Sequence, residues 1–141
     1  MEGVKELMAQ FNALQAEAKL KVLRAAARKA GNLIAKEAKN RIPVGSIAHK
    51  TYRGVLVAPG FAKRSIVVKT YIDKRRGTVG AVVGVRAQAF YATQFVELER
   101  GKSSAKGRPW LRPAFEATSQ AQQDAYRQEM LRVINKIRKK K

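Results

Sequence analysis

The segment GRPWLRPAFEA, residues 107–117, contains the only tryptophan of this 141-residue chain, with prolines at positions 109 and 113. Proline holds the backbone φ angle at about −65° and suits the first turn of a helix. From Phe115 to Ile137 the apolar residues then recur at helical spacing. The segment therefore predicts that Pro109 or Pro113 opens a long C-terminal helix, over about 109–138.

A second helical pattern lies at the other end of the sequence. From Val4 to about Arg41 the chain is rich in alanine, lysine and glutamate, and apolar residues recur every three or four positions. This pattern predicts a long amphipathic N-terminal helix. Gly31 is the interior position at which we expect the helix to bend or divide. Pro43 is expected to end it, because the residue before proline avoids the α region.

The middle of the chain has the composition of loops and strands. Residues 43–62 show no helical period and predict a long loop, in which YRGVLV (52–57) forms part of one hairpin arm. Two β-branched runs on either side of DKRRG (73–77) predict an antiparallel hairpin at about 64–86. Gly80 and Gly84 share a face of its second strand, where we expect a helix or neighbouring backbone to pack.

The segment AFYATQFVELERG, residues 89–101, fits a short helix at about 89–99 better than a strand. The order of elements is then a long helix, a small sheet, a short helix and a long helix. This order predicts an α+β fold, and the length predicts a single domain over residues 1–141.

Charge dominates the composition, since 30 lysines and arginines face 10 acids, a formal net charge of +20. Such an excess predicts attraction to nucleic acid, anionic membranes or acidic protein surfaces. The excess is spread along the chain, and residues 43–92 contain nine basic residues and a single acid, Asp73. The basic tail, residues 136–141, is expected to be mainly solvated. No run approaches the roughly 18 apolar residues of a membrane span, so we expect a soluble, cytoplasmic protein.

Residues suited to catalysis are few. His49 is the only histidine, and no cysteine is present for a disulfide or a zinc site. Glu97 and Glu99 diverge if they lie on a helix, so a cooperating carboxylate pair would need an extended chain there. Gly101-Lys102-Ser103 resembles the end of a phosphate-binding loop, but the glycine required five positions earlier is Val96. We therefore predict no enzyme activity and no catalytic, cofactor-binding or metal-binding residues.

Nucleic-acid binding is the main alternative that these patterns leave open. Aromatic and basic residues alternate in Tyr52-Arg53, in Phe61 to Arg64 and in Lys69 to Tyr71, as in proteins that bind single strands. Aromatic residues in strands are also ordinary core residues, and no RNA-binding module signature is present. Charge supports this alternative, a basic nucleic-acid-binding protein, but no motif specifies it.

Three segments resemble elements of tailed-phage neck proteins, in the same order. YATQFVELERG (91–101) resembles their Tyr-Ala-x-x-Val-Glu-aromatic-Gly element, and PGFAKRSIVV (59–68) resembles the step into their first strand. RPWLRPAFEA (108–117) resembles their Pro-Phe-Leu-Arg-Pro-Ala signature before the last helix. The chain thus resembles the head–tail joining or tail-completion proteins of lambda-like siphophages. It departs from them where Trp110 replaces phenylalanine, where three residues separate Glu97 from Gly101, and where residues 45–58 look inserted.

The resemblance implies a structural virion protein that forms a ring, by family a hexamer, at the neck. Its partners would be copies of itself, head connector or portal-associated proteins and the tail tube or tail terminator, with genomic DNA passing non-specifically through the lumen. It implies no cofactor, no membrane, assembly in the host cytoplasm and a final place in the virion neck.

The predicted subunit and partner contacts are carboxylates, the tryptophan segment and two basic surfaces. Within a ring, Glu97 and Glu99 would pair with arginines across a subunit boundary, while Trp110 is either an anchor to a neighbour or core of its own subunit. The full set is Glu97, Glu99, Arg108, Trp110, Arg112, His49, Lys50, Arg53, Lys63, Arg64, Lys74, Arg75 and Arg76.

Overall fold

The computed structural model describes residues 2–42, 49–50, 56–57, 60–86 and 110–140. Its helices are α1 (Glu2–Asn12), α2 (Ala16–Arg41), α3 (Phe61–Arg64), α4 (Leu111–Ala117) and α5 (Ser119–Lys139). Its strands are β1 (His49–Lys50), β2 (Leu56–Val57), β3 (Ile66–Asp73) and β4 (Thr78–Val85). The predicted α+β layout, with long helices near both ends, is confirmed. The short helix predicted at about 89–99 lies outside the described residues.

The N-terminal helical pattern is divided at a different place from the one predicted. The break falls at Ala13–Gln15, where the amide of Leu14 donates to the carbonyl of Phe11 at 3.0 Å in a tight closing turn. The expectation of a break at Gly31 is wrong, because α2 passes through this buried glycine without interruption, whereas a bend there stays a prediction. A glycine costs a helix about 1 kcal/mol, and the packing of the surrounding turns outweighs that cost. The helical bonds end at Ile42, directly before Pro43 as predicted.

The C-terminal pattern also forms two helices where one was predicted over about 109–138. Thr118 separates α4 from α5, and its hydroxyl donates to the carbonyl of Ala114 at 2.8 Å. Threonine side chains that bond to the preceding turn compete with the helical backbone pattern, which favours a break here. Pro113 lies in the first turn of α4, as the sequence predicted, whereas Pro109 is outside the described residues.

The predicted hairpin at about 64–86 is confirmed as β3 and β4, which pair across a connection of residues 74–77. So short a connection joins antiparallel strands. The carboxylate of Asp73 accepts hydrogen bonds from the amides of Arg75 and Arg76 at 3.0 and 3.3 Å. Gly77 closes the turn at a φ of 62°, a conformation that favours glycine. At the open end, the amide of Arg86 donates to the carbonyl of Ser65 at 3.0 Å.

A second, shorter hairpin lies within the segment predicted to be a loop. Strands β1 and β2 pair antiparallel, with His49 opposite Val57 and Lys50 opposite Leu56. The prediction that YRGVLV contributes a hairpin arm is confirmed at its last two residues. The loop prediction is wrong at its end, because Phe61 begins the short helix α3 after Gly60, whose φ is 80°.

The two glycines of β4 have different surroundings. A Cβ atom added at Gly80 would lie 2.5 Å from the hydroxyl oxygen of Tyr71, so the tyrosine ring covers this glycine. A Cβ atom at Gly84 would have no atom of the described residues within 4 Å. The expectation that a helix or neighbouring backbone packs on this face is not met at Gly80, where the nearest atoms belong to the Tyr71 side chain, and it stays a prediction at Gly84. At Gly80 the neighbour is an aromatic side chain from the adjacent strand, and aromatic rings commonly cover strand glycines in this way.

The chain is organised in two compact units, each with its own apolar cluster. The first unit takes its residues from Met1–Asn32, Lys69–Val82 and Gln120–Lys141, and the second from Leu33–Val68 and Val83–Ser119. The buried cluster of the first unit consists of Val22, Ala26, Met130, Val133 and Ile134. That of the second, the Trp110 cluster, consists of Ala35, Ala38, Ile42, Ile66, Trp110 and Ala114. The prediction of a single domain over 1–141 stays a prediction.

Candidate functional site

One side of helix α2 in the first unit carries exposed cations, and the opposite side is buried. Val22 and Ala26 are fully buried, whereas Arg24 and Arg28 are exposed. Side chains three or four positions apart lie on the same side of a helix. Lys21, Arg24 and Arg28 therefore form one basic stripe along α2, and Lys29 lies beside it.

Arg24 and Arg28 converge on a single hydroxyl group of the hairpin. The Nε atom of Arg24 donates to Oγ1 of Thr70 at 2.8 Å, and Nη2 of Arg28 lies 3.5 Å from the same oxygen. Like charges four positions apart on a helix repel one another. The threonine hydroxyl orients the two guanidinium groups, but it is neutral and cannot offset their charge.

Four other arginines of the described residues lie next to carboxylates. Ion pairs between described residues join Arg41 to Glu37, Arg76 to Asp73, Arg112 to Glu116 and Arg132 to Glu129. Arg24 and Arg28 take part in none of these pairs. Their convergence on Thr70 therefore leaves a local excess of positive charge.

The basic stripe lines an open cleft of about 710 Å³ in the first unit, which we call the basic cleft. Its lining consists of Leu20, Lys21, Arg24, Ala25, Arg28, Lys29, Asn32, Ile72 and Glu129. Glu129 is the one carboxylate among these residues, and it accepts hydrogen bonds from Arg132 at 2.7 and 3.0 Å. Those bonds, together with the charges of Arg132 and Lys29, hold the pKa of Glu129 below its ordinary value. The carboxylate thus stays charged and offsets part of the charge of Lys29, but its hydrogen bonds come from Arg132 and not from Arg24 or Arg28.

The hairpin turn adds three more exposed cations two residues beyond Ile72. Lys74, Arg75 and Arg76 are all exposed, as expected for predicted contact residues. Arg76 approaches the carboxylate of Asp73 at 3.8 Å, but its side chain remains 83% exposed. Whether this turn contacts a partner stays a prediction.

Trp110 lies in the core of its own chain. It is 3% exposed and belongs to a cluster in which small residues, Ala35, Ala38 and Ala114, leave room for its ring. Trp110 was predicted to be either an anchor to a neighbouring subunit or a core residue of its own subunit, and its burial favours the second alternative. Phe115, five positions later, is 53% exposed.

The remaining predicted contacts divide between described and undescribed residues. Arg112 points outward as expected, and the Oε1 atom of Glu116 on its own helix accepts its hydrogen bond at 3.2 Å. Lys63 and Arg64 are exposed together on α3, and His49 and Lys50 belong to β1. Arg53, Glu97, Glu99 and Arg108 lie outside the described residues, so their predicted roles remain predictions.

The sequence reasoning missed the residues that converge in the basic cleft. A helical projection of α2 would have shown the basic stripe, because its cations lie on the side opposite Val22 and Ala26. The contribution of Thr70 could not be found in this way, because it depends on how α2 and β3 pack together. In the described part of the chain, no group of three or more His, Asp or Glu residues is arranged to hold a metal ion. None of its helices is both long and apolar enough to cross a membrane.

Comparison with known families gives the class of this protein. Residues 5–98 match a family model for structural proteins of tailed bacteriophages, and the match covers about two thirds of the chain. The chain belongs to the HK97-gp10-like family, described as "Bacteriophage HK97-gp10, putative tail-component". The matched residues include α1 from Lys5 onward, all of α2 and both hairpins. No curated protein and no solved structure matches the chain significantly.

Proposed function

We propose that this protein forms a ring at the neck of a tailed phage, where it joins or completes the tail at the head connector. The observation that carries the proposal is the family match over residues 5–98, which assigns a tail component and includes the basic helix and hairpin. The motif order described above supports the neck as its place within the particle. Its partners in this proposal are further copies of the chain, the connector and the tail tube or terminator.

The outer face of the β3–β4 hairpin supplies a surface for such contacts. Tyr71 is 50% exposed and Val82 is 57% exposed, and both project from the hairpin that carries the Lys74–Arg76 turn. A ring of identical subunits closes through an interface in which two different surfaces of the chain meet. Exposed apolar side chains beside cations suit such an interface, since rim charges fix orientation and speed association.

The charge of the Lys74–Arg76 turn provides the experiment. We expect reversal of its charges, Lys74→Glu with Arg75→Glu and Arg76→Glu, to abolish incorporation into particles, because an acidic neighbouring surface would then repel it. The matched control reverses three charges in the last turn of α5, Lys136→Glu with Arg138→Glu and Lys139→Glu. Incorporation is measured by immunoblotting of purified particles, after circular dichroism has shown that both variants are folded.

The two variants separate a specific contact from a general effect of charge. Loss of incorporation in the turn variant alone supports a partner at the turn. Normal incorporation of the turn variant would show that the turn is merely exposed, and this part of the proposal would be wrong.

A nucleic-acid-binding protein is the second candidate, and the basic cleft is the observation that favours it. The two candidates differ in what holds the protein to its partners. A neck component keeps its protein partners after nuclease treatment, whereas a nucleic-acid-binding protein that is not part of the particle loses them.

A further inference from the structure

We propose that the basic cleft binds the phosphate groups of duplex DNA, with Arg24 and Arg28 sharing one phosphate. The inference deepens the proposed function by naming a place where genomic DNA would touch the neck. It rests on that function only for the source of the DNA, because the site itself is argued from the charges and distances of the first unit.

The geometry of the two arginines suits an oxyanion. Both guanidinium groups lie within 3.5 Å of one oxygen atom, so they are close to each other. Each guanidinium carries five N–H donors in a planar fork, and most of them remain available after the contact with Thr70. Such forks bind phosphate oxygens in pairs. Thr70 therefore holds two phosphate-binding groups in adjacent positions before any ligand arrives.

The described residues leave the basic cleft with an excess of positive charge. Four cations line it, and its carboxylate, Glu129, already pairs with Arg132. An anion bound between Arg24 and Arg28 would relieve their mutual repulsion. An anion would not gain this relief of repulsion at Arg112 or Arg132, because a carboxylate of the same helix already lies beside each of them.

The exposure of these cations favours a polyanion over a small anion. Lys21, Arg24, Arg28 and Lys29 are all exposed, so water and salt screen each of them strongly. A free phosphate ion held by exposed cations would bind weakly. A polyanion engages several cations at once and releases the counterions condensed on it, which gives a large, salt-dependent gain in affinity.

The composition and extent of the surface favour DNA over an acidic protein. Lysine is depleted in the centre of protein–protein interfaces, whereas protein–DNA interfaces are much more positively charged. Here Lys21 and Lys29 flank the arginines and are eight residues apart on α2, a rise of about 12 Å. Ile72 of β3 also lines the cleft, and the exposed cations Lys74–Arg76 follow two residues later in the turn of the same hairpin. Duplex DNA offers a phosphate at every position along its length, so it can meet this surface without a matched pattern of acids.

The experiment measures the affinity of the purified full chain for a short fluorescent DNA duplex over a range of salt concentrations. We expect Arg24→Gln with Arg28→Gln to weaken binding by about tenfold or more near 100 mM salt, and to reduce the slope of log K against log salt by about two. The control, Lys136→Gln with Arg138→Gln, removes the same charge from exposed positions on α5. It is expected to change the affinity by less than about threefold.

A further variant tests the role of the guanidinium forks. Arg24→Lys with Arg28→Lys keeps the charge but loses paired donation, so we expect the salt slope to be retained while the affinity falls by several fold. Affinity equal to that of wild type in this variant would contradict the shared phosphate.

Other outcomes would overturn the proposal. If the glutamine variant and its control lose equal amounts of DNA affinity, only the net charge of the protein matters and the proposal is wrong. The proposal is also wrong if the wild-type protein does not bind DNA. If the glutamine variant binds DNA normally but no longer enters particles, the cleft meets an acidic protein surface instead. Because DNA binding is measured on purified protein and incorporation on particles, failure of this inference is distinct from failure of the neck assignment.

Discussion

The Trp110 cluster and the basic cleft differ in how far the chain satisfies them by itself. Trp110 is buried among alanines and aliphatic side chains of its own unit. In the basic cleft, the partner of Arg24 and Arg28 among the described residues is a neutral hydroxyl, and Glu129 is hydrogen-bonded to Arg132. The difference teaches that Trp110, the most conspicuous residue in the sequence, contributes to the core of its own unit. We place the proposed binding site where charge is less fully compensated among the described residues.

The largest expected effect on stability comes from a substitution in the Trp110 cluster. Trp110→Ala should lower the free energy of unfolding by about 3–5 kcal/mol, because it removes a large buried ring and leaves a cavity. Urea denaturation followed by circular dichroism measures the change. Phe115→Ala is the control, because that ring is 53% exposed, and it should cost less than about 1 kcal/mol. A stable Trp110→Ala protein that fails only in assembly would mean that the ring acts at a subunit boundary after all.

A smaller effect is expected at the hairpin that contributes Ile72 to the basic cleft. Gly80→Ala places a methyl group where the Tyr71 ring lies, whereas Gly84→Ala places one more than 4 Å from every other side chain that the structure describes. We expect the first variant to be less stable than the second by about 1 kcal/mol, since the ring must move away from the strand. Thermal unfolding of the two proteins measures the difference. Equal stabilities would show that the ring does not hold this position in solution.

The smallest effect concerns Glu129 at the edge of the basic cleft, and it depends on pH. The hydrogen bonds from Arg132 hold the pKa of this carboxyl below its ordinary value of 4.5. Its contribution to stability is therefore present above that value and is lost as the pH falls through the lowered pKa. We expect Glu129→Gln to be less stable than wild type at pH 7, with the difference disappearing in acid.

The control for this effect is Glu116→Gln, which breaks the exposed pair with Arg112. Exposed pairs contribute little to stability, so the control should change it less. Unfolding at a series of pH values measures both variants. A loss of stability in Glu129→Gln that stays constant down to the most acid pH would contradict the assigned ion pair.

Much of the fold could be predicted from the sequence, because local signals determine it. The alternation of β-branched residues and the DKRRG turn predicted the β3–β4 hairpin, and the spacing of apolar residues predicted the terminal helices. The break at Ala13–Gln15 and the hydroxyl bond of Thr118 depend on local geometry that the apolar pattern does not report. Gly31 was misjudged for a related reason, since its cost as a helix residue is visible in the sequence but the packing that offsets it is not.

The candidate site was less accessible to sequence reasoning. The basic hairpin turn was found, because Lys74, Arg75 and Arg76 are consecutive between two strands. The partners of Arg24 and Arg28 are more than forty positions away in sequence, so only the packing of α2 on β3 reveals that the two charges converge. Trp110 was equally ambiguous in sequence, because a tryptophan beside proline suits both a core and an interface.

The measurement that tests the central claim most directly is a pull-down of the tagged protein from its native producing cells, with half of the sample treated with nuclease. Mass spectrometry then identifies the retained proteins. The neck assignment predicts that portal, connector or tail proteins remain bound after nuclease treatment. If only ribosomal or nucleoid proteins are found, and they disappear with nuclease, the protein is a nucleic-acid binder and the neck assignment is wrong.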